Sequence, residues 1–223
     1  MSNIALFDAD GTLHSGFSIF PLYDAFTDEG IVSVADNNRL KEVLDTYNSG
    51  ESEYHVFAKD TLLVAADSIK GQKLSVAISL AGMFFSNPDF PWYGYVSPLM
   101  QEIESTNTEA VLVTAEPQFI AEGITRALPF SKFFSSEFGV DEDGVLLGNV
   151  MTVLGSTQKG AISKDLTANA GISFGFGDSE GDIGMLEIVD TAVCINPTDE
   201  LRNIAMTSNW NIAEDPELPI NVF

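Results

Sequence analysis

Short apolar bursts that stop abruptly at polar residues recur along this chain. Ile4 to Phe7 runs into Asp8-Ala9-Asp10-Gly11-Thr12, and Ala110 to Val113 into Thr114-Ala115-Glu116-Pro117. Ile172 to Phe176 runs into Gly177-Asp178-Ser179, Ala192 to Ile195 into Asn196-Pro197, and Phe133-Phe134 precedes Ser135-Ser136. A strand buried on both faces of a parallel sheet has this pattern, with polar residues where the chain leaves the sheet. Stretches of helical period separate most of the bursts: Gln118 to Leu128, Gly160 to Ala170 and Ile183 to Val189. The alternation predicts βαβ units and a mainly parallel sheet. Phe138 to Thr152, with Asp143-Gly144 inside it, predicts a β-hairpin beside that sheet.

Residues 16–91 break the alternation. Four helices are predicted there, over Ile19 to Glu29, Val34 to Thr46, Glu51 to Asp67 and Gln72 to Phe85, punctuated by Gly30, Ser49-Gly50 and Gly71. The expected architecture is therefore α/β: a three-layer core from residues 1–15 and 92–223, and a helical cap of residues 16–91 inserted after the first strand. Asn87-Pro88-Asp89-Phe90-Pro91 reads as the return linker, and Asp215 to Pro219 as an irregular tail.

Composition narrows the function. Lys and Arg number 10 against 33 Asp and Glu, a formal charge of −23 over 223 residues. Such a chain lacks the clustered cations that nucleic acid or an anionic membrane requires. No apolar run approaches the roughly 18–20 residues of a membrane span. The N-terminus has no basic segment before its first apolar run and does not read as a signal peptide. Cys194 is the single cysteine, which excludes an internal disulfide and a Cys-based zinc site and makes the cytoplasm the expected compartment.

The acids sit where ligands of open α/β sheets bind, at the carboxyl ends of strands. Asp8 and Asp10 follow one strand, Asp178 and Asp182 another. Four converging carboxylates need a cation, and oxygen-only ligation suits a hard ion, Mg²⁺ above others. Magnesium bound by few carboxylates points to phosphate chemistry. Gly11 permits a tight turn that aims N–H groups at an anion. Thr114 offers a hydroxyl at a strand end, and Lys159 a cation at a helix start. An Asp carboxylate is a competent nucleophile toward phosphorus, with Asp8 as attacker and Asp10 as general acid and base.

These segments together resemble the motifs of the haloacid dehalogenase superfamily of phosphohydrolases. Asp8-Ala9-Asp10-Gly11-Thr12 resembles the first, Thr114 after Val111-Leu112-Val113 the second, Lys159 the third, and Gly177-Asp178-Ser179-Glu180-Gly181-Asp182 the fourth. Ala192 to Pro197, Leu201-Arg202, Trp210 and the helical insert resemble the phosphoserine-phosphatase-like branch, with its α-helical cap on a Rossmann-like core. The resemblance implies that Asp8 is nucleophile and metal ligand, and that Asp10 is acid/base with its carbonyl on the metal. It also implies that Asp178 is the third protein ligand, with Asp182 binding through water or fixing Asp178. Gly11, Thr114, Ala115 and Lys159 would hold the phosphoryl group of a small phosphorylated metabolite. The expected function is a Mg²⁺-dependent phosphatase working through an aspartyl-phosphate. A phosphotransferase to an acceptor hydroxyl, or a non-catalytic metal-phosphate binding module, would use the same motifs. A dehalogenase would not need Asp10.

The second motif departs from the family pattern: Thr114-Ala115-Glu116-Pro117 stands where phosphoserine phosphatases carry Ser-Gly-Gly, so an acid lies beside the phosphate hydroxyl. Lys164 rivals Lys159 less well placed for its role. His14 reads equally as a contact behind the site or as a solvent-facing residue after a turn. His55 and the cations Arg39, Lys41, Lys59, Lys70 and Lys73 read as cap surface, and Cys194 as core. Phe84, Phe85, Trp92, Tyr93 and Tyr95 read more readily as hinge packing than as pocket lining. Hinges are expected at Ser15-Gly16 and Asn87 to Pro91.

Overall fold

The computed structural model describes residues 2–217, so Met1 and, of the expected tail, Leu218 and Pro219 lie outside the described residues. One seven-stranded sheet is built from β1 (Asn3–Phe7), β2 (Thr108–Pro117), β3 (Lys132–Val140), β4 (Leu146–Thr152), β5 (Ser173–Gly177), β6 (Thr191–Ile195) and β7 (Asn211–Ala213). Its order is β4-β3-β2-β1-β5-β6-β7. Every neighbouring pair is parallel except β3 and β4.

The central strands are apolar throughout because both sheet faces are covered. Side chains alternate across a strand, so Ala5 and Phe7 of β1 enter one core while Ile4 and Leu6 enter the other. The first core is closed by α4 (Leu74–Phe85), α5 (Val96–Ser105) and α6 (Gln118–Ala127), through Ala81, Leu99 and Ile120 among others. The second is closed by α7 (Ser156–Thr167), α8 (Ile183–Leu186) and α9 (Asp199–Ser208), through Ile162, Met185 and Leu201. This is a three-layer α/β core of the Rossmann-like kind. Cys194 is fully buried in the second.

The insert supplies α1 (Ile19–Asp28), α2 (Val34–Asn48) and α3 (Tyr54–Ser68) ahead of α4. Ser33 caps α2 by accepting a hydrogen bond from the Asp36 N–H at 3.1 Å, which satisfies one orphan donor of the first turn. Its apolar residues, among them Tyr23, Phe26, Leu40 and Phe57, are continuous with the first core. Backbone hydrogen bonds tie the turn before α4 to the β3–β4 hairpin: Gly71 N to Leu146 O at 2.9 Å, Leu146 N to Gln72 O at 2.8 Å, and Leu74 N to Gly144 O at 2.9 Å. On its other side α4 lies against α6, where a Cβ on Gly123 would come within 2.8 Å of that of Ala81.

The structure differs from the sequence pattern in four places. Phe133-Phe134 and the first arm of the hairpin are one strand, β3, because the chain does not turn at Ser135-Ser136. Helix α7 starts at Ser156 rather than Gly160, which puts Lys159 inside its first turn. Helix α5 and strand β7 were not anticipated. Among the described residues, no helix is long and apolar enough to cross a membrane.

Candidate active site

Strand order reverses around β1, whose neighbours β2 and β5 are reached by connections running opposite ways. The crevice at such a switch point is where ligands bind in open α/β sheets. Asp8 leaves β1 there, its N–H bonded to Phe176 O at 3.0 Å. Thr114 to Glu116 sit where the β2–β3 register shifts, between Val113 and Pro117. A bulge of this kind re-aims side chains and frees backbone groups. Asp178 follows β5, and Lys159 reaches in from α7.

Lys159 is the hub. Its Nζ donates to Asp8 Oδ1 at 2.6 Å and to Asp182 Oδ1 at 2.7 Å, and all three side chains are buried. The other Asp182 oxygen accepts the N–H groups of Asp178, at 2.9 Å, and Ser179, at 3.2 Å. Asp182 thereby fixes the loop that presents Asp178. Gly11 closes the opposite side with φ +73°, and a Cβ there would lie 2.1 Å from Asp178 Oδ2. Backbone strain and collision both demand glycine at this position. Lys164 lies on the exposed face of α7.

The electrostatics follow from this crowding. Burial, and then the Asp182 charge, push the Asp8 carboxyl up to about 7, although Lys159 opposes them. Burial and the charges of Asp182 and Asp8 hold Asp178 well above the usual carboxylate range. Burial would lower Lys159, but the charges of Asp182 and Asp8 outweigh it and raise the ammonium above its ordinary value. The site carries more negative charge than its own cation offsets. Asp8, Asp178 and Asp182 each offer an oxygen within 4.8 Å of the others. All-oxygen donors, short spacing and excess negative charge fit Mg²⁺.

Asp10 points elsewhere. Its Oδ2 accepts the Ser18 N–H at 3.0 Å, and its Oδ1 lies 3.0 Å from His14 Nε2. Burial pushes Asp10 up, but the His14 bond and charge, with the bonds from Glu116 and Ser18, bring it below its ordinary value. His14 is 2% exposed; the solvent-facing reading is wrong for it. Its ring stands edge-on to Phe90 at 5.2 Å and Trp92 at 5.9 Å. Burial lowers His14, yet the Asp10 bond and charge raise it overall. The Nδ1 lies 3.2 Å from Ser15 O, so both ring nitrogens face acceptors, which favours the charged imidazolium.

Glu116 hydrogen-bonds the Asp10 side chain, and burial together with the Asp10 charge pushes it well above the ordinary glutamate range. Its Oε2 is buried with no partner. The Thr114 hydroxyl accepts the Glu116 N–H at 3.2 Å, and Ala115 O accepts the Ser136 hydroxyl at 2.6 Å; both residues face the cavity.

That cavity, of about 460 Å³, opens over Asp8 between core and insert. Its far wall is aromatic: Phe17, Phe20, Tyr47, Tyr54 and Phe57 line it. Tyr47 and Phe57 stack at 4.3 Å, with Phe17 4.9 Å from Phe57. Tyr54 reaches the phosphate end, where burial and then the Asp8 charge raise its hydroxyl. Thr61 Oγ1 in the same wall is buried and unpartnered. These residues were missed because their helical spacing is what any packed helix shows. The aromatics that stood out instead form a packed cluster behind the site, with Phe85 to Phe90 at 4.9 Å and Phe90 to Trp92 at 4.4 Å. His55 is exposed beside Glu53. Arg39 pairs with Asp36 and Asp67, and Lys41 with Asp24. Lys73 donates to Asp143 O, Lys70 covers Gly148, and exposed Lys59 stands at the cavity mouth.

A carboxylate cluster with one bridging lysine at the switch point of a parallel sheet, under a helical insert, defines a hydrolase of a known kind. Residues 5–187 match the haloacid dehalogenase-like hydrolase family model, and the chain belongs to that family. It is 27% identical over 153 residues to phosphoserine phosphatase SerB1 of Mycobacterium tuberculosis, covering 66% of this chain and 49% of that one. The chain thus spans about half the length of that relative. It is 22% identical to a histidinol-phosphatase of Neisseria meningitidis over 95% of this chain and 98% of the other. Among solved structures, a Bordetella pertussis protein of unknown function superposes with TM-score 0.77 at 21% identity, covering 95% and 98% of the two chains. A phosphoserine phosphatase in a phospho-aspartyl intermediate analogue form gives 0.64 at 16%, covering 96% and 94%. These structural likenesses establish the shared fold.

Proposed function

We propose that the chain is a Mg²⁺-dependent phosphatase that hydrolyses a small phosphomonoester through an aspartyl-phosphate on Asp8. The observation that carries this reading is the Lys159 bridge between Asp8 and Asp182 at 2.6 and 2.7 Å, beside Asp178. It holds one Asp8 oxygen and leaves the other to face the cavity. Asp8 and Asp178, with the Asp10 carbonyl, are the groups that would hold Mg²⁺, and Asp182 supports them. When bound, the ion neutralises charge on the phosphoryl oxygens.

Asp8 attacks phosphorus as the ester P–O bond breaks, and Asp10 relays a proton from His14 Nε2, 3.0 Å away, to the departing alcohol oxygen. Thr114, the backbone at Ala115 and Lys159 hold the phosphoryl oxygens in line. Water then attacks phosphorus, its proton passes to Asp10, and the bond to Asp8 breaks to release inorganic phosphate. The insert covers Asp8 and limits water to this second step. The names of the relatives, one a phosphatase of phosphoserine and one of histidinol phosphate, support small phosphorylated alcohols as the substrate class.

The test is release of phosphate from an aryl phosphate with Mg²⁺, with EDTA, and with Asp8→Asn. Release is expected only from the unmodified protein with metal. Full activity in Asp8→Asn would overturn the reading.

A further inference from the structure

Away from the phosphate end the walls of the cavity are hydrocarbon. Phe17, Phe20, Tyr47, Phe57 and Leu62 line them, all from the insert. Tyr47 and Phe57 stack at 4.3 Å with 17° between their planes, and Phe17 stands 4.9 Å from Phe57. Phe57 is buried as part of the core, but Phe17 and Tyr47 are only half-buried. Their apolar surface faces a space of about 460 Å³, within the range of small-molecule sites. A ligand that covers this surface gains the free energy of its removal from water.

Polar side chains along the same walls are already engaged. The Ser156 hydroxyl accepts the Gly184 N–H at 2.9 Å, and the Thr198 hydroxyl donates to Glu180 at 3.0 Å. Charge is confined to the two ends of the cavity. Asp8, Asp10, Glu116 and Asp178 gather at the phosphate end, and Lys59 and His55 stand exposed at the mouth. Each acid at the phosphate end has its own partner. Lys159 holds Asp8, His14 holds Asp10, and Glu116 is hydrogen-bonded to Asp10, which leaves Asp178 to Mg²⁺. A substrate carboxylate between the two ends would lie near these acids with no cation to receive it. A substrate ammonium there would find no free acid. Either group would give up its hydration without return, whereas a planar apolar group packs on the aromatic faces.

Resting on the phosphatase reading above, we infer that this cavity selects phosphomonoesters of uncharged alcohols with an apolar, ring-bearing body, and that Phe17 and the Tyr47–Phe57 stack make the selection.

Matched esters test this. They are 3-phenylpropyl phosphate; propyl phosphate, which lacks the ring; 2-amino-3-phenylpropyl phosphate, which adds an ammonium; and O-phosphoserine, which is charged and lacks the ring. With the Mg²⁺-loaded protein, kcat/KM for 3-phenylpropyl phosphate is expected to exceed that for propyl phosphate by about 10–100-fold, the factor that burial of one phenyl-sized group supplies. It should exceed that for the amino ester by about 10-fold and that for O-phosphoserine by about 100-fold or more. In Phe17→Ala the ratio of 3-phenylpropyl to propyl phosphate is expected to fall about 3- to 10-fold, whatever happens to either rate alone, and Phe17→Leu should restore most of it. A residue that only holds the fold would lower both esters alike. Equal rates for the propyl and 3-phenylpropyl esters, preference for either charged ester, or an unchanged ratio in Phe17→Ala would overturn the inference. Absence of hydrolysis of every ester and of an aryl phosphate refutes the phosphatase reading instead, and binding then decides. Calorimetry of 3-phenylpropanol and 2-amino-3-phenylpropanol, with inorganic phosphate present, needs no turnover. Tighter binding of the uncharged alcohol is expected, with a negative heat-capacity change that shrinks in Phe17→Ala. Equal or tighter binding of the amino alcohol counts against the inference.

Discussion

Replacing Lys159 by Met separates burial from proximity as the source of an ion pair's worth. Lys159 donates to Asp8 at 2.6 Å and Asp182 at 2.7 Å, and none of the three side chains is more than 9% exposed. Lys132 donates to Glu109 at a comparable 3.0 Å, but these side chains are 42% and 36% exposed. Water already solvates the second pair, so Lys132→Met should cost about 0–1 kcal/mol. Methionine at 159 keeps the stem packed and removes only the charge, which leaves Asp8 and Asp182 buried without their partner. Breaking a buried pair from one side costs about 3–5 kcal/mol. At about 2–4 °C per kcal/mol for a domain of this size, thermal unfolding in EDTA should shift by roughly 6–20 °C for Lys159→Met and by no more than about 4 °C for Lys132→Met. A pH series adds a sign. Lys159 has a raised value in the folded state, so it stays charged in both states at pH 5 and at pH 8 and adds no slope of its own. The Asp8 carboxyl it leaves behind, already raised to about 7 by burial and the Asp182 charge, does titrate: at pH 5 the folded variant carries it protonated at little cost, and at pH 8 it cannot. The loss should therefore be larger at pH 8 than at pH 5. Equal shifts for the two variants, or a larger loss at pH 5, would refute the account.

Three further outcomes follow from the same geometry. Gly11→Ala must carry a side chain at φ +73° and within 2.1 Å of Asp178 Oδ2; calorimetric Mg²⁺ binding should weaken at least tenfold, and the melting temperature should fall. His14→Asn removes the group that orients Asp10 (3.0 Å), so kcat should fall roughly 10²-fold for alkyl phosphates, whose alkoxide needs a proton, and far less for nitrophenyl phosphate, which leaves unaided. An equal fall for both substrates would place His14 in packing alone. The Asp8 carboxyl, raised to about 7 from 3.8 in the unfolded chain, means that the metal-free folded state binds more protons than the unfolded state between those values. Its contribution to stability should accordingly decline as pH rises from about 4 to 7. Adding Mg²⁺ at neutral pH should reverse that decline, and a metal-free melting temperature that rises through this window would contradict the charge arrangement.

What could be read from the sequence, and what could not, divides along a physical line. The strands β1, β2, β5 and β6 are buried on both faces, so their hydrophobicity is continuous and each ends in a sharp polar stop. The motif residues hang on those stops, which is why Asp8, Asp10, Thr114 and Asp178 could be named. Helix α5 carries Val96, Leu99, Met100 and Ile103 at helical spacing, but it follows a Pro-rich linker and precedes a strand, and the linker masked its start. Strand β7 is three residues long and half-exposed, too short for any period to register. Helix α7 has little apolar pattern, because two of its inward residues are Lys159 and Ser163. The very use of a helix face for chemistry erased the signal that would have located its start.

The site itself was legible only where a residue's type is unusual for its place. An acid at a buried strand end is improbable without a reason, so the four aspartates stood out. A histidine after a turn is ordinary, and His14 becomes informative only once its ring is found between Asp10 and the packed Phe90 and Trp92. Glu116 is the intermediate case. Its position in the second motif marked it as a departure, yet sequence could not say whether the bulge in β2 turns the carboxyl toward solvent or toward Asp10. The register shift between Val113 and Pro117 resolves that. It turns inward, against a cluster already rich in negative charge, a residue that solvent would otherwise have taken at no cost. Burial of that kind persists in a folded protein when something supplies the opposite charge. Metal can do so for Asp8 and Asp178, and Lys159 does so for Asp182 and Asp8. Glu116 is met differently: its carboxyl is held well above the ordinary glutamate range by burial and by the Asp10 charge, and it shares a hydrogen bond with Asp10, so its burial is relieved by a proton rather than by a cation.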